Sequence, residues 1–351
     1  MPVYRGGGRI RGMKRSLFHS FEDIISLDNL LEAWREFLVG KRKKADVLEF
    51  SFHLMDNIIS LNQDLANYSY HPGGYKSFKV SDPKPRHIHK ASVRDRLLHH
   101  AVYRQLYPFF DRTFINDSYS CRLGKGTHKA LVRFQKYFYK VSYNNTKNCW
   151  VLKGDIRKFF ASVDQTTLLD ILDEYISDRR LLDLLEKIIH SFNSGQPGKG
   201  LPLGNLTSQL FANVYLNYFD QFIKHSLKVK YYIRYADDFI IMSDDKACLV
   251  DLVEVIGEFL ATNLKLEIHP DKLFIKTVSS GIDFLGWTIF PDHLVLRRAT
   301  KRRMFKKLEI NNYKQESLNS YLGLISHGNA KRIEGEILNK AARAEYHRLE
   351  I

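Results

Sequence analysis

Cysteine is scarce. Cys121, Cys149 and Cys248 are the only three in 351 residues, and they form no C-x-x-C pair. So few thiols so far apart argue against a disulfide framework and against a zinc site, and imply reduced side chains. Long apolar runs are also lacking: no stretch of about 18 apolar residues is present to cross a bilayer. The N-terminal residues carry bases and glycines where a signal peptide would have its apolar core. A cytoplasmic protein with no membrane partner is therefore expected. Acidic residues fall short of basic ones, 39 against 54, giving a net charge of +15. That excess suits a polyanionic partner, nucleic acid before an anionic membrane surface. The glycine-rich segments around Gly124-Lys125-Gly126 and Gly195–Gly200 lack the Gly-Lys-Ser/Thr ending of a nucleotide-triphosphatase loop. No internal repeat is visible.

What the chain does have is 44% hydrophobic and 13% aromatic residues, enough for a large core divided into two or three lobes. The first 16 residues hold Gly6-Gly7-Gly8 and five bases, a composition fit for an arm along phosphates or for a disordered tail. Leu27, Leu30, Leu31, Trp34 and Leu38 recur at helical spacing. Val47, Phe50, Leu54, Ile58, Leu61 and Leu65 do the same, predicting one further helix up to the turn at Tyr70–Gly74. Tyr75–Val80 alternates as a strand and leads into the proline turn Asp82-Pro83-Lys84-Pro85-Arg86. Helices are expected through Arg94–Leu106, Leu168–Ile189, Leu210–Phe219 and Leu249–Leu264, and Gly281–Ile289 alternates. From Arg297 the tail reads as helical, with seven cations up to Lys307.

The chemistry concentrates in Tyr231-Tyr232-Ile233-Arg234-Tyr235-Ala236-Asp237-Asp238-Phe239-Ile240-Ile241-Met242. Two adjacent carboxylates between apolar, β-branched and aromatic runs predict a hairpin with the acids at its tip. Neighbouring carboxylates repel, so keeping both ionised in a half-buried place calls for positive charge, most simply divalent metal. Val151-Leu152-Lys153-Gly154-Asp155-Ile156 reads as a short strand ending on a third acid. Two-metal nucleotidyl transfer needs carboxylates from separate strands converging on one point.

An ordered series of blocks between residues 75 and 290 resembles the reverse transcriptases. The blocks are Arg86, Arg122-Leu123-Gly124-Lys125-Gly126-Thr127, Asp155 with Phe159-Phe160, Leu201 to Gln209, Tyr235-Ala236-Asp237-Asp238, Pro270-Asp271-Lys272 and Phe284-Leu285-Gly286-Trp287. The resemblance implies an α+β right-hand polymerase: an arm, helices and fingers over 1–148, an antiparallel-sheet palm over 149–290 that includes part of the fingers, and a short basic helical thumb over 291–351. It implies an RNA-directed DNA polymerase that uses two Mg2+ ions, with Mn2+ a possible substitute, held by Asp155, Asp237 and Asp238 with the Ile156 carbonyl. Lys84 and Arg86 match cations that grip the incoming deoxynucleoside triphosphate, with Lys79 a rival to Lys84. Phe160 matches an aromatic gate against a ribose 2′-hydroxyl. Lys272 matches a lysine near the nucleotide, and Gly286 a turn that supports the primer end. Template RNA, the primer or cDNA strand and dNTPs are the implied partners.

One departure separates subgroups. Most of the superfamily has Pro-Gln-Gly and then Ser-Pro where this chain has Pro202-Leu203-Gly204 and Ser208-Gln209. Leu203 removes an amide from beside the nascent base pair, so fidelity should fall. This pattern is similar to reverse transcriptases of diversity-generating retroelements, prokaryotic or phage-encoded enzymes that mispair template adenines and assemble with a small basic accessory protein. The alternatives are a group II intron-like or defence-associated reverse transcriptase, and a nucleic-acid-binding protein that has lost catalysis.

Overall fold

The computed structural model describes residues 16–81 and 85–349; the expected N-terminal arm and Lys84 lie outside the described residues. The chain opens with helices α1 (Phe21–Ile25), α2 (Leu27–Phe37), α3 (Ala45–Phe52) and α4 (Leu54–Ala66), the hairpin β1 (Tyr75–Val80) and β2 (Arg86–Ala91), then α5 (Val93–Asp111) and α6 (Thr127–Val141). Next come β3 (Trp150–Asp155), α7 (Phe159–Ser162), α8 (Gln165–Asp173), α9 (Arg179–His190), α10 (Leu206–Gln221), β4 (Tyr232–Tyr235), β5 (Asp238–Ser243) and α11 (Lys246–Leu264). The last elements are β6 (Phe274–Thr277), β7 (Ile282–Phe284), β8 (Trp287–Ile289), β9 (Leu294–Leu296), α12 (Arg298–Ile310), α13 (Gln315–Ile325) and α14 (Lys331–Leu349). Helices mix with purely antiparallel sheets, an α+β architecture.

The chain forms two compact units. The first comprises the described residues up to Cys121, Ile156–Lys230 and Ile256–His269. Its core is built on α5 and α10. The Ser92 hydroxyl caps α5 by accepting from the Asp95 N–H at 3.1 Å, and the buried Asp95 carboxylate in turn accepts from the Tyr70 hydroxyl at 2.8 Å and the Gly73 N–H at 2.9 Å. One residue thereby fixes both the start of α5 and the entry to β1. Buried Asn29 of α2 donates to the Ala101 carbonyl of α5 at 3.2 Å. The single helix expected over Val47–Leu65 is instead two, broken at His53, which leaves helical geometry with φ −113° and ψ 42°. The Asn57 amide donates to the freed Phe50 carbonyl at 3.0 Å, a local side-chain bond that periodicity cannot reveal.

The second unit comprises Arg122–Asp155, Tyr231–Val255 and the described residues from Pro270. Its main sheet has the order β4-β5-β3-β6 and is antiparallel throughout. Strand β3 lies inside the sheet, which explains its apolar Val151-Leu152 run; α6 packs on β4 and β5. A second sheet runs β7-β8-β9. The alternating run Gly281–Ile289 folds back on itself at Leu285-Gly286, so that Gly286 stands in a turn. Both turn residues have positive φ, 50° and 89°, the backbone hand that matches the twist of a two-residue hairpin.

Candidate active site

Three carboxylates meet at one end of the main sheet, all within the second unit. Tyr235 pairs with Asp238 to close the β4–β5 hairpin, leaving Ala236 and Asp237 as its two-residue turn. Ala236 has φ 53°, a left-handed conformation that glycine adopts more readily, so the turn tip is strained where the acids are presented. Asp155, the last residue of β3, is the register partner of Asp238. One position back, Gly154 faces Phe239, and a Cβ built on Gly154 would lie 2.3 Å from the Phe239 Cζ. Glycine at 154 leaves room for that ring on the opposite face of the sheet while β3 and β5 bring Asp155 and Asp238 side by side.

Two ammonium groups enter the cluster. Lys272 Nζ donates to Asp155 Oδ1 at 2.5 Å, from the short turn Pro270–Lys272 that precedes β6. Lys153 Nζ lies 3.4 Å from Asp238 Oδ1 and donates to the Asp283 carbonyl at 3.0 Å. Even so, burial and then the Asp155 charge push the Asp237 carboxyl up to about 6. Burial also raises Asp238, with Lys153 opposing. Three carboxylates against two lysines leave a shortage of positive charge.

A divalent cation fits that shortage, and the all-oxygen donors suit a hard ion. Among the described residues no three His, Cys, Asp or Glu side chains converge closely enough to hold an ion alone. An ion here would therefore take its remaining ligands from water and nucleotide phosphates, the usual habit of Mg2+ at phosphoryl-transfer sites.

The other residues singled out in the sequence lie mostly in the first unit. Arg86 opens β2, exposed and paired with Val80; Lys79, also exposed, pairs with His87. The Leu203 carbonyl accepts from the His89 N–H of β2 at 2.9 Å. Gly204 has φ 116°, and a Cβ there would approach Ile88 Cγ2 to 2.9 Å. Leu203 and Gly204 are thus seated against the strand that starts with Arg86. Gln209 is half-buried in the first turns of α10. Phe160 is half-buried in α7, its ring 5.3 Å from that of Phe159, and its carbonyl accepts from the Leu201 N–H at 2.7 Å. Buried Ile156 forms a bridge with Ile268.

In the second unit, Gly286 occupies the β7–β8 turn and its carbonyl accepts from the Arg297 N–H at 3.1 Å, immediately before α12. Lys153 escaped the reading of the sequence. The signal was the strand period of two, which puts residues 153 and 155 on one face.

The fold is that of the right-hand polymerases. It is similar to the solved telomerase of Candida albicans bound to a fragment of telomeric RNA, with a TM-score of 0.51 and 14% identity over 79% of this chain and 55% of that one. Residues 79–289 match the family described as reverse transcriptase (RNA-dependent DNA polymerase), and the chain belongs to that family. It is accordingly an enzyme of the nucleotidyl-transferring class. The protein YkfC of Escherichia coli (strain K12) is 27% identical over 320 residues, covering 79% of this chain and 81% of YkfC. The group II intron-encoded protein LtrA of Lactococcus lactis subsp. cremoris is 23% identical over 304 residues, covering 67% of this chain and half of LtrA.

Proposed function

We propose that this chain copies an RNA template into DNA by attack of a primer 3′-hydroxyl on the α-phosphate of a deoxynucleoside triphosphate, with Asp155, Asp237 and Asp238 as the catalytic carboxylates. The observation that carries this reading is the register pairing of Asp155 with Asp238 beside the Asp237 turn, a cluster short of positive charge. Bound Mg2+, two ions, would neutralise the attacking and leaving oxygens together. Asp155 and Asp237, with the Ile156 carbonyl, would hold the ions. Asp238 acts beside them through its contact with Lys153. Lys272 orients the Asp155 carboxylate through Oδ1. Arg86, with Lys79 or Lys84, binds the triphosphate, and Phe160 discriminates against a ribose.

The finer reading is an error-prone enzyme of a diversity-generating retroelement, mispairing template adenines and assembled with a small basic accessory protein. Leu203 supports it, as an aliphatic side chain where an amide would contact the nascent pair. The likeness to LtrA favours a second reading, a group II intron-type enzyme of ordinary fidelity.

Primer extension on an RNA template with Mg2+ and four dNTPs, followed by sequencing, separates these readings. Substitutions concentrated opposite adenine, reduced up to roughly tenfold by Leu203→Gln, are expected from the first, since one placed hydrogen bond is worth about 0.5–1.5 kcal/mol. Evenly distributed errors, unmoved by that substitution, would leave the second. No DNA from the chain even when template RNA and accessory protein are supplied would contradict both.

A further inference from the structure

The end of the main sheet remote from the carboxylates carries a polar cleft flanked by lysine–aromatic pairs. Trp150 opens β3 and Asp155 ends it, roughly 17 Å along an extended strand. Around Trp150 lies an open cleft of about 660 Å³, lined by Asn145, Thr146, Lys147, Asn148, Trp150 and Asp244 among others, all in the second unit. The loop that shapes it is strained. Tyr143, Asn144 and Asn145 take left-handed φ values of 49°, 59° and 67° in succession, a run that L-residues avoid. Buried Ser142 holds the loop there: its carbonyl accepts from the N–H groups of Thr146 and Lys147, and its hydroxyl from that of Asn145, each at 2.9 Å.

The result is a displayed aromatic–cation pair. Tyr143 is 58% exposed, with Lys147 Nζ 4.6 Å from its ring centroid. Lys246 Nζ lies 5.0 Å from the ring centroid of Trp150, which lines the cleft. Neither lysine is ion-paired among the described residues. Strain that persists under such constraint points to use.

We propose that this cleft binds a single-stranded segment of RNA distinct from the stretch being copied, with a base stacked on Tyr143 and backbone phosphates taken by Lys147 and Lys246. An exposed aromatic, Tyr143, and a half-buried one, Trp150, each beside a lysine, are the elements of single-strand recognition. Amides and a hydroxyl at Asn145, Asn148 and Thr146 offer partners for base edges and 2′-hydroxyls, and the Asp244 carboxylate for an amino group of a base. Apart from Phe138, Cys149 and Trp150 the lining side chains are polar or charged, which suits a nucleic-acid strand.

The test uses the full chain with its catalytic site saturated by unlabelled primer–template, and a fluorescent unstructured oligoribonucleotide of about 20 nucleotides as probe. In Tyr143→Ala/Lys147→Gln/Lys246→Gln, affinity for the probe is expected to fall at least about tenfold. The slope of log K against log salt should shrink by about 1.4, two phosphate contacts at about 0.7 each. Extension of a short template should be unchanged, which reports an intact fold. Unchanged probe affinity and slope would overturn the proposal, and an equal loss with the matching DNA oligomer would overturn the choice of RNA. Should the triple variant not fold, photocrosslinking of 4-thiouridine RNA to the wild-type chain decides: adducts at Tyr143 or Trp150 support the site, and their absence refutes it. Binding is read directly, so the outcome does not depend on polymerase activity.

Discussion

Asp237 is held in a place that suits a metal ligand better than a stable fold. Its folded carboxyl titrates near 6 against an ordinary 3.8, so between those values the folded chain keeps a proton that the unfolded chain has released. Stability therefore falls as pH rises through that window, by up to roughly 2–3 kcal/mol without metal. Asp237→Asn should raise the melting temperature of metal-free protein at pH 7 by a few degrees and by much less at pH 4. Thermal melts at the two pH values check this; a gain of equal size at both would contradict it. Lys153→Met should push Asp238 further upward and move the acid limb of the pH–activity profile up by roughly 0.5–1 unit. An unmoved limb would show that Lys153 does not tune the site. The two aspartates were legible in the sequence because they stand together between two strand-like runs. The role of Lys153 was not, because its meeting with Asp238 depends on the register of β3 against β5, a long-range pairing that local pattern does not encode.

At the scale of elements, the site depends on how closely β3 and β5 approach at Gly154. Gly154→Ala should cost about 1–3 kcal/mol, the usual size of an overpacking penalty, and lower activity by displacing Asp155. Combining it with Phe239→Leu should return part of the loss, because the clash is with that ring; denaturant melts of the single and double variants measure the coupling. The β4–β5 hairpin, α12 and most helices follow periodicity and turn residues. One departure has a local cause, the break at His53 within an apolar stripe that continues across it. Alternation alone does not mark the reversal at Leu285-Gly286, being the same on both sides of a two-residue turn; the turn at Gly286 was legible only from the resemblance.

At the scale of the whole molecule, the net charge of +15 should show as salt-sensitive grip on a template–primer duplex. Arg302 and Lys306 lie one turn apart on α12, both exposed. Replacing both with alanine should reduce the salt slope by about 1–2 and weaken binding to all sequences alike. A loss confined to particular sequences would instead mean base readout.

The central claim is that Asp155, Asp237 and Asp238 carry the chemistry, and single-nucleotide addition to a primer on an RNA template tests it most directly. With Mg2+ the wild-type chain should extend the primer, while Asp237→Asn should bind the same template–primer with unchanged affinity and fall in rate by at least about a thousandfold. Extension by Asp237→Asn at the wild-type rate would contradict the account.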